Sequence, residues 1–295
     1  QESTAFSDVT PFGFLTSSGT PTSGVLVKSA TNNSQLNGGA TLTSIRTFGD
    51  LTNTTKVGFS FEDQKNATLA ATANALKVSK VPEFGGADQA ALSTASLDEH
   101  IRNLNYLAIS SFDYKEKYLF DALIRRDGSS LFGPDSRNSI YYRMSGAWRL
   151  TEDMKLPNID EMRIRASYGT AGLRPNFKDQ YEILAVNASG FTFDILGNPK
   201  LKPAQSAELE LGTNIEFGGG KFTAEYTYAK KNTTDQILLV DLPAVAGFKS
   251  QWQNTGALES STHEMSFGAR LWESGNKSFT LNIVGDKTKQ VITEW

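Results

Sequence analysis

The sequence of 295 residues predicts an all-β fold, an antiparallel up-and-down transmembrane β-barrel of which the chain forms part. Three observations predict it. Apolar and polar residues alternate along many segments, as they do in strands whose two faces meet different environments. Short and long connections take turns along the chain, which collects the long loops at one end of a meander. No run of about 18 apolar residues occurs, so any membrane has to be crossed by strands.

We predict about ten strands, several of them about a dozen residues long. The clearest alternation lies in the segment 206–217, where Leu209 and Leu211 take one face and glutamates take the other. The alanine-rich stretch 67–77 lies among Thr and Asn residues and is predicted as a strand end or loop. The predicted strands lie at roughly 40–48, 54–64, 102–114, 117–126, 139–150, 161–168, 206–217, 221–228, 264–271 and 278–283.

The connections carry more information than the strands. Short connections are predicted at 48–53, 114–117, 217–221 and 273–277, with an intermediate one at 151–160. Long connections are predicted at 65–101, 127–138, 170–204 and 234–255. Transmembrane barrels have this order, with short turns on the periplasmic side and long loops on the extracellular side. Alternation alone leaves a soluble sandwich or solenoid open, because any half-buried sheet alternates as well.

Composition narrows the functional classes. The chain has no cysteine, so disulfides and thiolate metal sites are excluded, and its net charge of −3 gives no reason to expect nucleic acid. The two histidines, His100 and His263, are far apart, and no ligand lies near either at zinc-like spacing. We therefore expect no cofactor, no metal and no catalysis. An outer-membrane enzyme that pairs His263 with a neighbouring serine remains a rival hypothesis.

Several ordered motifs support a more specific interpretation. The segment FDYKEKYLFDALIRRDGSSLFGPDSR is followed by SGAWRL, MRIRASYGTAG, NPKLKPAQSAELELG and DQILLVDLPAVAGFKSQWQNTGALES. In this order the motifs resemble those of the SusC/RagA-like family of TonB-linked (TonB-dependent) outer-membrane transporters. The resemblance covers about 100–290 strongly and 36–64 loosely. The sequence departs from the family pattern at Ser261-Thr262-His263-Glu264, where the family usually has Asn-(Lys/Arg)-Gly-Val-Glu.

The resemblance implies a large plugged barrel of about 22 strands in the bacterial outer membrane, in contact with its lipid. It implies import of oligosaccharides or peptides, driven by the inner-membrane TonB complex, with a SusD-like surface lipoprotein as a lid. Room for about ten strands makes residues 1–295 an internal section of one barrel domain. We expect the plug, the TonB contact and the closing C-terminal strands to lie outside this chain. The rival function is a soluble or surface β-rich binding or adhesion module with aromatic loops.

Two groups of residues are candidate sites. Exposed aromatic residues in the long loops stack on sugar rings or fill peptide pockets, and self-packing of the loops is the alternative. These predicted ligand-binding residues are Phe177, Tyr181, Phe191, Phe193 and Trp252. Charged residues on the polar strand faces line a solute path or, as the resemblance implies, hold the plug. These predicted lumen residues are Arg163, Arg165, Glu208 and Glu210.

Overall fold

The structure is a computed structural model that describes residues 2–10, 24–74, 76, 81, 83–187 and 190–294. Strands dominate the described residues, and the only helices among them are five short 3₁₀ turns. The strands are β1 (Glu2–Thr10), β2 (Val25–Phe48), β3 (Leu51–Ala73), β4 (Leu92–Tyr114), β5 (Tyr118–Ser129), β6 (Asn138–Arg149), β7 (Ile159–Leu173), β8 (Ile183–Asn187), β9 (Gly190–Leu196), β10 (Ala204–Phe217), β11 (Phe222–Thr234), β12 (Ile237–Asp241), β13 (Ser250–Asn254), β14 (Ala257–Ser274) and β15 (Lys277–Glu294). The 3₁₀ turns are Phe84–Gly86, Gln89–Ala91, Pro134–Ser136, Leu150–Glu152 and Ala244–Ala246. None of these described helices is long and apolar enough to cross a membrane.

Eleven strands form the main sheet in the order β1-β2-β3-β4-β5-β6-β7-β10-β11-β14-β15. Neighbours along the chain are neighbours in the sheet, apart from the strands that the two longest connections contribute to a second sheet. The ladders from β4 to β15 are antiparallel throughout. The predicted all-β, antiparallel, up-and-down arrangement is therefore confirmed.

The chain divides into two compact units, and β2, β3 and β4 contribute to both. One unit comprises Gln1–Gly38 and Phe61–Arg102, and the other comprises Gly39–Ser60 and Asn103–Trp295. The first unit has a small apolar core, in which Leu26 and Ala73 are fully buried. Leu76 and Ala87 complete this core, and Phe84 and Leu92 pack against it.

Strands β2, β3 and β4 are longer than the sequence predicts. They contain 24, 23 and 23 residues, whereas a bilayer crossing needs about 9–11. Part of the added length, such as TNNSQLNGG in β2, is largely polar and shows no alternation, although the backbone of its first residues pairs with β1. The predicted long loop 65–101 was therefore wrong in extent, since the strands end at Ala73 and resume at Leu92. Of the alanine-rich stretch, residues 75 and 77 lie outside the described residues.

All predicted short connections are confirmed as tight turns, and they join strands at what we call the turn end of the main sheet. Gly49, Gly218, Gly219, Gly220 and Gly275 have positive φ angles in these turns, a conformation that glycine adopts without strain. The long connections join the strands at the opposite, loop end. The connections 170–204 and 234–255 are not irregular loops, because β8, β9, β12 and β13 lie within them.

The second sheet has the strand order β12-β13-β9-β8 and consists entirely of these loop strands. Strands β13 and β9 pair in parallel, which joins the two long connections to each other. The sequence did not reveal these strands because β8, β12 and β13 contain five residues each, too few to establish a period.

Register from β4 to β15 sorts the side chains into an apolar face and a polar face. Leu209 lies opposite Tyr168 on one side and Lys230 on the other, and Leu211 lies opposite Ala166 and Tyr228. Leu209, Leu211 and Phe267 are 39%, 45% and 36% exposed. Among the described residues, no second sheet covers these side chains, so within this chain the face is not the inside of a sandwich. An apolar face left open to its surroundings is typical of a sheet that meets hydrocarbon.

Candidate functional site

Arg165 is the centre of an ion-pair network on the polar face of β7, β10 and β11. Its guanidinium lies 2.7 Å from a carboxylate oxygen of Glu210 and 2.7 Å from one of Glu225. It also donates a hydrogen bond to the Thr227 hydroxyl at 2.6 Å, which satisfies a buried side chain. One cation therefore joins three strands and neutralises two carboxylates.

Gly212 makes this reach possible. It lies directly opposite Arg165 in the β7–β10 ladder, and it is buried. A Cβ at position 212 would come within 2.6 Å of Arg165 Nε. The arginine thus crosses β10 over the glycine to meet Glu225 on the next strand.

A second ion pair lies beside this network on the same face. Arg143 contacts Asp121 at 2.7 Å, and the Ser145 hydroxyl also donates to Asp121. A concavity of about 700 Å³ extends between the two clusters and is lined by Asp121, Arg143, Ser145, Arg165, Ser167 and Glu210. The polar face therefore presents paired charges and hydroxyls around a recess, which suits contact with water, a polar solute or a polar protein segment.

The other two predicted lumen residues lie outside the Arg165 network. Arg163 contacts Glu161 at 3.1 Å, and Glu208 lies 4.0 Å from Lys231. The structure thus brings Arg165 and Glu210 together and places Arg163 and Glu208 in separate pairs. The sequence did not identify Glu225 and Thr227 as members of the Arg165 network, although alternation placed both on the polar face. Their contact with Arg165 depends on the register between strands, which alternation does not give.

The second sheet presents aromatic side chains at the loop end. The Phe191 and Phe193 rings lie edge to face at 5.7 Å, and Phe193 also packs against Phe248 at 4.8 Å. Phe191 is 62% exposed, and the neighbouring Val186 is 82% exposed. Phe248 was not predicted as a site residue, although it lies in the Gly-Phe motif that contributed to the family resemblance.

The remaining predicted aromatic residues lie apart from this cluster. Phe177 and Tyr181 pack on each other at 5.4 Å in the segment before β8. Trp252 lies in β13 opposite Leu239, and its backbone carbonyl accepts a hydrogen bond from the Asn198 amide at 2.7 Å. Among the described residues, no ring contact joins Phe177, Tyr181 or Trp252 to Phe191 and Phe193.

The loop between β5 and β6 packs on the NPKLKP segment that precedes β10. Leu131, Phe132 and Leu201 are buried there. A Cβ on Gly133 would lie 1.7 Å from the Pro199 carbonyl oxygen, so the NPKLKP segment passes in direct contact with the glycine. Asn198 of the same segment donates to the Trp252 carbonyl, which links this contact to β13 of the second sheet.

Neither histidine forms the arrangement of a known active site. His100 pairs with Asp63 at 3.0 Å. His263 lies on the apolar face, where its Nδ1 is 2.8 Å from the Tyr226 hydroxyl and its ring packs 5.0 Å from Tyr228. Across the described ranges, no group of three or more His, Cys, Asp or Glu residues is arranged to hold a metal ion.

At the turn end, Asp153 anchors two aromatic residues. It accepts hydrogen bonds from Tyr118 Oη at 2.7 Å and from Trp148 Nε1 at 2.9 Å, and it contacts the Lys117 ammonium. The Lys117 contact first, and then these two hydrogen bonds, lower the pKa of Asp153 to about 2. The rings of Tyr118 and Trp148 stack at 6.2 Å, as in the aromatic belts of membrane proteins.

Comparison with known proteins gives a consistent result. Residues 2–290 match the family model described as TonB dependent receptor-like, beta-barrel. The chain is 31% identical over 193 residues to TonB-dependent receptor P26 of Formosa agariphila, covering 61% of this chain and 20% of that protein. It is 26% identical over 185 residues to TonB-dependent receptor SusC of Bacteroides thetaiotaomicron, covering 57% and 18%. The chain thus spans about a fifth of the length of these relatives.

Solved structures show the same fold. The RagAB peptide importer in its closed-closed state matches with a TM-score of 0.84 at 19% identity, over 99% of this chain and 33% of that chain. The outer membrane transporter YddB from Escherichia coli matches with a TM-score of 0.57 at 12% identity, over 90% and 34%. At these identities the likeness concerns the fold alone.

Proposed function

The chain belongs to the TonB dependent receptor-like β-barrel family of the bacterial outer membrane, and from this we propose that it forms part of the barrel of a nutrient importer. The family is one of transporters and receptors, not of enzymes. The imported solute in this proposal is an oligosaccharide or a peptide. The observation that carries the proposal is the two-faced main sheet, with exposed Leu211 on one face and the Arg165 network on the other.

The polar face supports a role as the wall of a polar interior. Charges on the lipid face of a barrel strand cost about 2–4 kcal/mol at the bilayer midplane, which explains why the Arg165 and Arg143 pairs lie on the opposite face. We assign Arg165 and Glu210 to contact with a plug or a passing solute. Arg163 and Glu208 are assigned to the margins of the same contact surface. Paired charges suit such contact. When a polar partner displaces water from this face, each charged group keeps its oppositely charged neighbour and is not buried unpaired.

The aromatic residues of the second sheet support a role in capturing ligand before transport. Phe191 and Phe193 present ring faces and edges at the loop end, and flat apolar surfaces bind both sugar rings and apolar peptide side chains. Tyr181 and Trp252 are proposed as secondary contacts. A SusD-like lipoprotein lid and the TonB complex are the proposed partners, and the TonB contact is proposed to lie outside this chain.

Uptake by cells that produce the whole protein tests the proposal. The double substitution Phe191→Ala and Phe193→Ala should lower growth on the imported oligosaccharide or peptide at least about tenfold, because two stacking surfaces of about 1 kcal/mol each are lost. Phe279→Ala is the matched control, since Phe279 is 57% exposed at the turn end. Equal growth of the double variant and wild type, at equal amounts of protein in the outer membrane, would refute the ligand role.

A further inference from the structure

The two long connections 170–204 and 234–255 are joined by backbone pairing. Strands β9 and β13, one from each connection, form a short parallel ladder. Beside this ladder the Lys249 amide donates to the Asp194 carbonyl at 3.0 Å, and the Lys249 ammonium contacts the Asp194 carboxylate at 2.8 Å. Because parallel strands cannot be joined by a tight turn, this pairing brings together segments that are distant in the sequence.

Two asparagine side chains extend the contact between the connections beyond the ladder. Asn198 donates to the Trp252 carbonyl at 2.7 Å. Asn254 accepts a hydrogen bond from the Lys202 amide at 2.9 Å and donates one to the Lys202 carbonyl at 2.8 Å. An amide side chain can pair with backbone in this way because it carries both a donor and an acceptor, as a peptide group does. The contacts therefore extend over residues 194–202 of the first connection.

The aromatic cluster of the second sheet takes rings from both connections. Phe191 and Phe193 belong to β9, whereas Phe248 lies in the other connection, just before β13. Phe248 is half-buried, and its ring centroid lies 4.8 Å from that of Phe193. Lys249, which pairs with Asp194, follows Phe248 directly, so the joined backbones fix the position of the third ring. A surface of this kind exists only while the two connections stay together.

We propose that residues 190–202 and 248–254 form one preorganised body, the joined-loop unit, which captures solute as a single surface. Phe248 is then a third aromatic ligand contact beside Phe191 and Phe193. Because the loops are already ordered, the entropy cost of ordering them is incurred on folding and not on binding. The ligand role of Phe248 rests on the proposed function, whereas the joining of the two connections does not depend on it.

Hydrogen exchange of the purified whole protein, measured by mass spectrometry, tests the joining. Asn254→Ala should raise exchange in its own strand β13 and also in residues 196–202 of the other connection, by about fivefold, as expected for the loss of one hydrogen bond. Asn198→Ala should likewise raise exchange in β13. Gln253→Ala is the matched control, because this amide donates to Gln251 within β13 at 3.0 Å, and it should leave residues 196–202 unchanged.

Growth of cells that produce the whole protein tests Phe248 as a ligand contact. On the imported oligosaccharide or peptide, under the conditions used for Phe191 and Phe193, Phe248→Ala should lower growth about fivefold, because one stacking surface is lost. Val245→Ala is the matched control, since Val245 is an apolar residue of the same connection that is 95% exposed. It should grow as wild type does, at equal amounts of protein in the outer membrane.

Exchange that rises only in the connection that carries the substitution would show two independent loops and would overturn the joining. Wild-type growth of Phe248→Ala, while the Phe191 and Phe193 double variant grows poorly, would overturn the ligand role of Phe248 alone. Wild-type growth of both variants would refute the capture role in the proposed function, and with it the ligand role of Phe248. The exchange measurement decides the joining separately in each case.

Discussion

Arg165 crosses over Gly212, its direct neighbour in the β7–β10 ladder, and reaches Glu225 on the strand beyond at 2.7 Å. This relationship organises the polar face, because only a residue without a side chain leaves space for the guanidinium there. The absence of a side chain at Gly212 of β10 lets the Arg165 cation contact three strands. The network depends on register, so it tests the strand alignment as well as the electrostatics.

Gly212→Val should destabilise the protein by about 1–3 kcal/mol, the usual cost of forcing extra volume into a filled site. The added side chain would displace Arg165, whose Nε lies 2.6 Å from the Cβ position. The free energy of unfolding in urea measures the effect. Gly285→Val is the control, since its Cβ position is open. A loss of stability no larger at 212 than at 285 would contradict the crossing.

Arg165→Met should destabilise the protein by about 1–2 kcal/mol, because Glu210 and Glu225 then face each other without a cation, in a partly exposed site that water screens. Adding Glu210→Gln and Glu225→Gln to the same variant should recover most of the loss. Wild type, the single variant and the triple variant are compared in the same urea titration. Failure of the glutamine substitutions to restore stability would show that the arginine acts through packing alone.

Asp153→Asn should remove a pH-dependent part of the stability. The pKa of Asp153 is lowered to about 2, below its value in an unfolded chain, so its contribution is complete above about pH 4. The contribution is lost as the pH falls from about 4 through 2. Between these values the Tm of wild type should therefore fall more steeply than that of Asp153→Asn. Parallel curves for the two proteins would contradict the anchoring of Tyr118 and Trp148 by this carboxylate.

Gly133→Ala should separate the loop between β5 and β6 from the NPKLKP segment, whose Asn198 hydrogen-bonds to β13. A Cβ at this position would lie 1.7 Å from the Pro199 carbonyl oxygen, so the NPKLKP segment has to move. Hydrogen exchange should increase across 196–203 and in β13, whose Trp252 carbonyl is bound by Asn198. Gly146→Ala is the control, because its nearest atom is at 3.8 Å. Unchanged exchange at 196–203 would contradict the packing.

The sequence predicts the structural features that depend on residues close together along the chain. Glycine turns such as 218–220 and the alternating faces of β10 follow from backbone preference and from period two, and both are confirmed. The extensions of β2 to β4 lack a signal because their apolar residues, such as Leu26 and Ala73, do not alternate regularly with polar ones. Glu225, Gly212 and Phe248 were missed as site members because their roles depend on neighbours more than 30 residues away, which register and loop packing bring together.

The central claim is that one face of the main sheet meets hydrocarbon while the other meets a polar interior. Nitroxide labels at Leu211→Cys and Glu210→Cys, each in a whole protein with any other cysteine replaced by serine, compare adjacent positions of one strand. Electron paramagnetic resonance of the whole protein in bilayers measures collision with oxygen, which concentrates in lipid, and with a water-soluble nickel chelate. We predict high oxygen access and low nickel access at 211, and the reverse ratio at 210. Nickel access at 211 equal to or above that at 210 would contradict the claim.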